Sequence, residues 1–173
     1  DMLRDNGLRV KTYLLFKPPF MSEADALNHT TSWLLQVAHH SDEVSVNPMN
    51  IQRKTLVDRL YRNREYRPPW LWSLIEMIQR SHEDISQLEC RLIVHPTAGG
   101  KVRGAHNCKI CDGEAVAAIE RYSVSGDIEE FTDLDCSCKA VWMAELDNDS
   151  SLPIPLGSGT FRRGNPIDLA RAP

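Results

Sequence analysis

The chain has little that would tie it to a membrane, a secreted scaffold or an iron–sulfur centre. Its longest apolar runs are a few residues, far short of the roughly 20 that a membrane-spanning helix needs. The N-terminus shows no charged region, apolar stretch and small-residue cleavage site in the order of a secretory signal. Cysteine is sparse: five residues, an odd number, four of them in two close pairs. That usage suits a reduced, cytoplasmic protein with a metal site better than a disulfide framework. No C-x₃-C-x₂-C and no other group of three closely spaced cysteines occurs, so a conventional 4Fe–4S ligand set is missing. Positive charge is not in excess either, since 20 Lys and Arg face 24 Asp and Glu. The net charge of −4 argues against wholesale nucleic-acid coating and leaves only a local basic patch. There is no internal repeat. What is present, 42% hydrophobic residues over 173 positions, is ordinary for one soluble domain or one domain with a small appendage. The chain opens without an initiator methionine on a short polar lead, which suggests a piece of something larger.

Periodicity predicts an α/β order. Residues 8–16, LRVKTYLLF, read as a strand covered on both faces, as in parallel sheets, and Lys17-Pro18-Pro19 stops it. Ser22 is placed to cap a helix running to about residue 40, with Glu23 and Asp25 in its first turn and Leu27, Thr30, Leu34 and Val37 at helical spacing. A second strand at 43–46 completes a right-handed βαβ unit. Helices over about 52–62 and 69–82 follow, the second burying Trp70, Leu71, Leu74, Ile75 and Ile78. Alternation over 88–94 marks a half-buried strand with Cys90 in the core. Beyond residue 97 a glycine-rich loop leads into the cysteine pairs. Asp112 is expected to cap a helix carrying Ala115, Val116, Ile119 and Tyr122, and a short helix falls near 127–134. Val141, Trp142 and Leu146 then place a further helix after Cys138. Residues 149–173 are rich in serine, proline, glycine and arginine and are expected to be loosely ordered.

Cys108 and Cys111 form C-x₂-C, and Cys136 and Cys138 form C-x-C, 24 residues apart. Zinc takes four thiolates in a tetrahedron, and two short-spaced pairs supply two of its edges. The competing readings are ordinary buried cysteines, a thioredoxin-type C-x-x-C, and His106 in place of one cysteine. A closed four-thiolate site would staple the fold and do no chemistry itself.

Ligands of α/β folds sit beyond the carboxyl ends of the strands. Those ends carry Lys17 after the first strand and Asn47, Asn50, Gln52 and Arg53 after the second, groups able to read an amide edge or hold a carboxylate or phosphate. Capping and turn formation would also account for some of them. From Arg53 to Arg67 six basic residues face two acidic ones, interleaved with Tyr61 and Tyr66 and followed by Trp70 and Trp72. Basic groups neutralise phosphate and aromatics stack on unpaired bases. Arg59 and Arg62 share a helix face and are the candidate RNA contacts; the bland alternative is a solvated face with the tryptophans in the core.

The runs KTYLLFKPPFMSEADAL, VNPMNIQRKTLVDRLYRNREYRPPWLWSLIE, HNCKICD and LDCSCKAVW together resemble the C-terminal half of the archaeal radical S-adenosylmethionine proteins of archaeosine formation in tRNA, relatives of the Elongator catalytic subunit. The resemblance covers roughly residues 8–146. It implies that residues 1–96 are the late β/α units of a partial radical-SAM-type barrel, followed by a cysteine-rich zinc appendage over 97–148 and a tail over 149–173. It implies S-adenosylmethionine and a 4Fe–4S cluster as cofactors of the parent enzyme, tRNA as substrate, and a lysine-transferring partner enzyme. The family's C-x₃-C-x₂-C is absent, so this piece is expected to be inactive alone. The reading from another class is a zinc-stabilised RNA-binding module without catalysis.

Overall fold

A computed structural model describes residues 2–151. In chain order it contains α1 (Met2–Asp5), β1 (Lys11–Phe16), α2 (Glu23–Ala38), β2 (Glu43–Pro48), α3 (Leu56–Arg62), α4 (Leu71–Gln87), β3 (Arg91–Val94), α5 (Asp112–Ser125), a 3₁₀ turn (Ile128–Phe131) and α6 (Cys138–Ser151). The three strands form one parallel sheet in the order β1-β2-β3. Lys11 is in register with Glu43, and Glu43 in turn with Arg91. This is the α/β class that the alternation of periods predicts.

Phe16, Val44, Val46, Leu92 and Val94 pack one sheet face onto Leu27 and Leu34 of α2 and Leu71, Leu74 and Ile78 of α4. The same core continues into α5 through Ala115, Ile119 and Tyr122, and into α6 through Trp142. Burying side chains of this size stabilises by roughly 1.5–3 kcal/mol each. β1 departs from the expectation of two covered faces. Tyr13 and Leu15, on the face away from the helices, are 66% and 50% exposed. Its apolar run records residue type and not what lies across from it.

Several boundaries shift for local reasons. α2 starts as expected, with Ser22 Oγ accepting the Asp25 amide at 3.0 Å. α3 begins at residue 56 and not near 52, because Lys54 takes a left-handed turn (φ 65) and Thr55 Oγ1 caps the Asp58 amide at 3.2 Å. α4 runs on to Gln87, past the expected 82, through a polar last turn. β3 is confined to Arg91–Val94, with Leu92, Ile93 and Val94 all buried where half-burial is expected. α6 takes in residues 149–151 of the expected tail; the rest of that tail lies outside the described residues.

Candidate metal centre

The segment 107–112 winds into a tight turn with Lys109 at φ 76. Backbone N–H groups of Cys111 and Ile110 point at the Cys108 thiol, and together they lower its pKa to about 6. Asp112, expected to cap α5, does something else. Its Oδ1 accepts the amides of Asn107 (3.0 Å) and Lys109 (3.1 Å), closing the turn, and α5 starts without a side-chain cap of its own. The second pair arrives through the 3₁₀ turn, anchored by buried Phe131, and Cys138 opens α6.

These two pairs meet. Cys108 Sγ lies 3.8 Å from Cys111 Sγ and 3.6 Å from Cys136 Sγ, and Cys111 Sγ lies 3.6 Å from Cys138 Sγ. All four sulfurs fall within 4.8 Å of one another. Metal–sulfur bonds of about 2.3 Å give a tetrahedron with edges of about 3.8 Å, so the set fits one ion. A four-iron cube would interpose its own atoms and hold the thiolates farther apart. The four cysteines could hold a single metal ion; Cys90 sits apart in the core.

Burial raises the pKa of both Cys111 and Cys138, so without a cation these two thiols stay neutral. A metal reverses that preference, because the thiolate is the ligand. The surroundings suit such a charge. Asn107 Nδ2 donates to Cys111 Sγ at 3.4 Å and the Trp72 indole N–H donates to Cys138 Sγ at 3.2 Å. Lys139 Nζ lies 5.4 Å from the centre of the Trp72 ring. N–H donors around a ligand set orient it and delocalise its charge.

The centre is joined to the carboxyl end of β1 through the first turn of α4. Trp70, at the N-cap position, offers that helix no side-chain hydrogen bond. Its free amides are met from elsewhere: Glu23 Oε1 accepts Trp70 N at 2.9 Å, and Asn107 Oδ1 accepts Trp72 N at 3.2 Å. Glu23 Oε1 also accepts from Ser73 Oγ at 2.5 Å, and that hydroxyl accepts from the Trp142 indole at 2.8 Å. Lys17 Nζ donates to Glu23 Oε2 at 2.5 Å, and Tyr66 donates its hydroxyl to Lys17 O at 2.8 Å. None of Glu23, Asn107 or Trp72 carries a local sequence signature for this role. The one readable hint is an amide side chain next to C-x₂-C.

Among the sequence candidates, Lys17 turns inward, its side chain 6% exposed against the fully buried Glu23 carboxylate. Asn47, within β2's ladder opposite Leu15, and Asn50, just beyond the strand, are half-buried, while Gln52 and Arg53 are exposed. This loop is zipped to the 97–105 loop, Ile51 N donating to Arg103 O at 2.8 Å and Arg103 Nε to Ile51 O at 3.1 Å. Arg59 and Arg62 line one shallow groove. Arg62 also pairs with Asp58, whose pKa is held well below the carboxylate range by Arg103, the Lys54 amide and Arg62. His106 Nδ1 lies 2.8 Å from Gly104 O and takes no part in the cysteine cluster. Trp70 and Trp72 are buried. Neither ring is available to stack on a base.

Relatives bear on what such a centre serves. The chain resembles archaeosine synthase subunit beta. It is 36% identical over 141 residues to the protein of that name from Methanosarcina acetivorans, a match over 82% of this chain and 40% of the relative. The Thermococcus kodakarensis protein of the same name is 35% identical over 144 residues, covering 82% of this chain and 44% of the relative. An uncharacterized protein, MJ0550 of Methanocaldococcus jannaschii, is 28% identical over 162 residues. The chain thus spans less than half the length of the relatives it matches. No protein-family model and no solved structure matches it. Among the described residues no helix is long and apolar enough to cross a membrane.

Proposed function

We propose that the chain is the C-terminal part of a radical S-adenosylmethionine enzyme that forms archaeosine in tRNA, and that its own contribution is a zinc-stapled β/α unit. The observation that carries this is the 35–36% identity, over 82% of the chain, to two proteins named archaeosine synthase subunit beta. Zinc is the ion that a closed set of four thiolates suits, and with every position taken by sulfur it would supply folding energy and no open site. The 4Fe–4S cluster is a different matter. It needs three further cysteines held together, and this chain has four in one knuckle and Cys90 in the core. The residues here do not fit that group, so no radical step is assigned to them; in this reading the cluster belongs to the other part of the parent. The strands β1–β3 would be late strands of its barrel. Asn47, Asn50, Gln52 and Arg53 would face cofactor or substrate at their carboxyl ends, and Arg59 and Arg62 would meet tRNA phosphate. The word "subunit" in the relatives' names supports a second protein in the reaction, in this reading the lysine-transferring enzyme.

A chimera tests this. The chain would replace the matching segment of the T. kodakarensis relative in a strain lacking that subunit, and archaeosine would be measured in digested tRNA by mass spectrometry. Restored archaeosine is the expected outcome; a folded, zinc-loaded chimera that leaves tRNA without it would overturn the reading. The runner-up, a zinc-stabilised RNA-binding module, draws on the groove shared by Arg59 and Arg62 but loses its stacking platform with Trp70 and Trp72 buried. It requires tRNA binding by this chain without restored archaeosine.

A further inference from the structure

A cavity of about 730 Å³ opens beyond the carboxyl end of β1, between the β1–α2 turn and the segment 61–68. Its size is that of a small-molecule site, ~300–1,000 Å³. The charges around it mostly cancel. Lys17 meets Glu23 and Arg62 meets Asp58, while Glu145 accepts from the neutral Trp70 indole at 2.8 Å. Two guanidinium groups, Arg64 and Arg67, and two carboxylates, Glu65 and Glu145, are left, and among the described residues neither arginine forms an ion pair.

Arg67 is the informative one. It lies over Trp70, 3.8 Å from the ring centre, and donates to Pro68 O (2.9 Å) and His106 O (3.0 Å). These are neutral carbonyls, and they use two of its five N–H donors. Burial pushes its pKa down, yet arginine stays protonated in proteins, so a charge is kept in a partly dry place where Glu23 and Glu145 act on it through space but no carboxylate pairs with it directly. Buried charges are ordinarily paired, because desolvation is otherwise uncompensated. An anion in the adjoining cavity would supply a direct partner and take up its remaining N–H donors.

The rim adds two further features. Lys17 (φ 53), Phe20 (φ 70) and Arg64 (φ 62) all line the cavity with left-handed backbones. That conformation is uncommon away from glycine and is strained, and strain of this kind gathers at ligand clamps. Phe20 is 63% exposed and Tyr61 half-buried, which leaves aromatic surface open to the cavity, where a base could stack.

We propose that this cavity binds a phosphorylated nucleoside, its phosphate held by Arg64 and Arg67 and its base against Phe20 and Tyr61. The cavity's own chemistry sets this class, so the proposal and the archaeosine reading can fail separately. A free nucleotide and a nucleotide within RNA share the chemistry, and the test separates them. The Trp70 indole N–H, bonded to the cavity-lining Glu145 and with its ring under Arg67, is a site-specific reporter in nitrogen-15 NMR of the metal-loaded full chain. The probes are adenosine 5′-monophosphate, adenosine, inorganic phosphate, lysine and a single-stranded tetraribonucleotide.

The monophosphate should shift the Trp70 signal to saturation, with adenosine and phosphate alone at least tenfold weaker. Arg64→Gln removes an exposed side chain that supports nothing else and should weaken monophosphate binding by roughly tenfold or more. Arg67→Lys keeps the charge, loses the stacked fork and should also weaken it. Tighter binding of the tetranucleotide identifies RNA as the source, and tighter binding of the monophosphate identifies a free nucleotide; both support the site. A Trp70 signal unmoved by either probe up to about 10 mM overturns it. So does unchanged affinity in folded Arg64→Gln, or a preference for lysine, whose two charges Glu65 or Glu145 and the arginines could also satisfy.

Discussion

Replacing Glu23 by alanine should be among the most damaging single changes available in this chain. The carboxylate is fully buried, and it accepts from Lys17 Nζ (2.5 Å), Ser73 Oγ (2.5 Å) and the Trp70 amide (2.9 Å). Removing it leaves the Lys17 ammonium buried without its carboxylate, a loss of about 3–5 kcal/mol where one partner of a buried pair is deleted. The first turn of α4 also loses its acceptor, a capping term of about 1 kcal/mol. At ~2–4 °C per kcal/mol for chains of this size, the melting temperature should fall by roughly 10–20 °C. The double change Lys17→Met with Glu23→Leu removes both charges and should recover much of the loss, since an apolar replacement of a buried pair is often neutral or better. The assay is thermal and urea unfolding of the zinc-loaded full chain for Glu23→Ala and, closed as a double-mutant cycle, for Lys17→Met, Glu23→Leu and the double. A coupling energy under about 0.5 kcal/mol would show the pair to be effectively independent and refute the reasoning.

Metal analysis of protein purified in reducing buffer should give about one zinc per chain, and a chelator should lower its melting temperature; equal melting with and without chelator would refute a structural role. The isolated chain should neither show the brown colour of a 4Fe–4S cluster after anaerobic reconstitution nor cleave S-adenosylmethionine, and 5′-deoxyadenosine in that assay would overturn the zinc assignment. Asp58 has a depressed pKa in the fold, so its stabilising effect is complete above the ordinary carboxylate value of ~3.9 and is lost as pH falls below it. Asp58→Asn should therefore destabilise at neutral pH and flatten the acid limb of the stability profile, and an unchanged limb would remove this account. Arg59→Glu with Arg62→Glu in the parent enzyme should weaken tRNA binding and flatten its salt slope by about one unit per lost phosphate contact; an unchanged slope returns this face to plain solvation.

What the sequence made readable follows the range of the interactions involved. The strand–helix–strand order and the Ser22 cap rest on period and near-neighbour chemistry, and both appear as expected. The four cysteines announce themselves by spacing, and they converge. Asp112 departs from the expected cap because two local uses of one carboxylate compete, and closing the 107–112 turn prevails over capping α5. The cavity arginines were legible only as a basic stretch. What distinguishes Arg67 is a carbonyl 39 residues away and a ring face, neither of which spacing encodes. The exposed side of β1 was hidden for a related reason: an apolar run looks the same whether or not something covers it.

The start of α4 is fixed by residues 47 positions before it and 35 positions after it. A helix capped from such distances does not own its first turn. During synthesis, Trp72 must wait for Asn107 to emerge, and the cysteine that its indole meets comes 66 positions later. This predicts an order of assembly in which β1, β2 and α2 come first and the N-terminal turn of α4 locks last, when the cysteine knuckle closes. Run backwards, release of the ion would fray α4 from that end and expose Trp70–Ser73 to proteases before the sheet opens. Limited digestion in chelator would read the sequence of events directly.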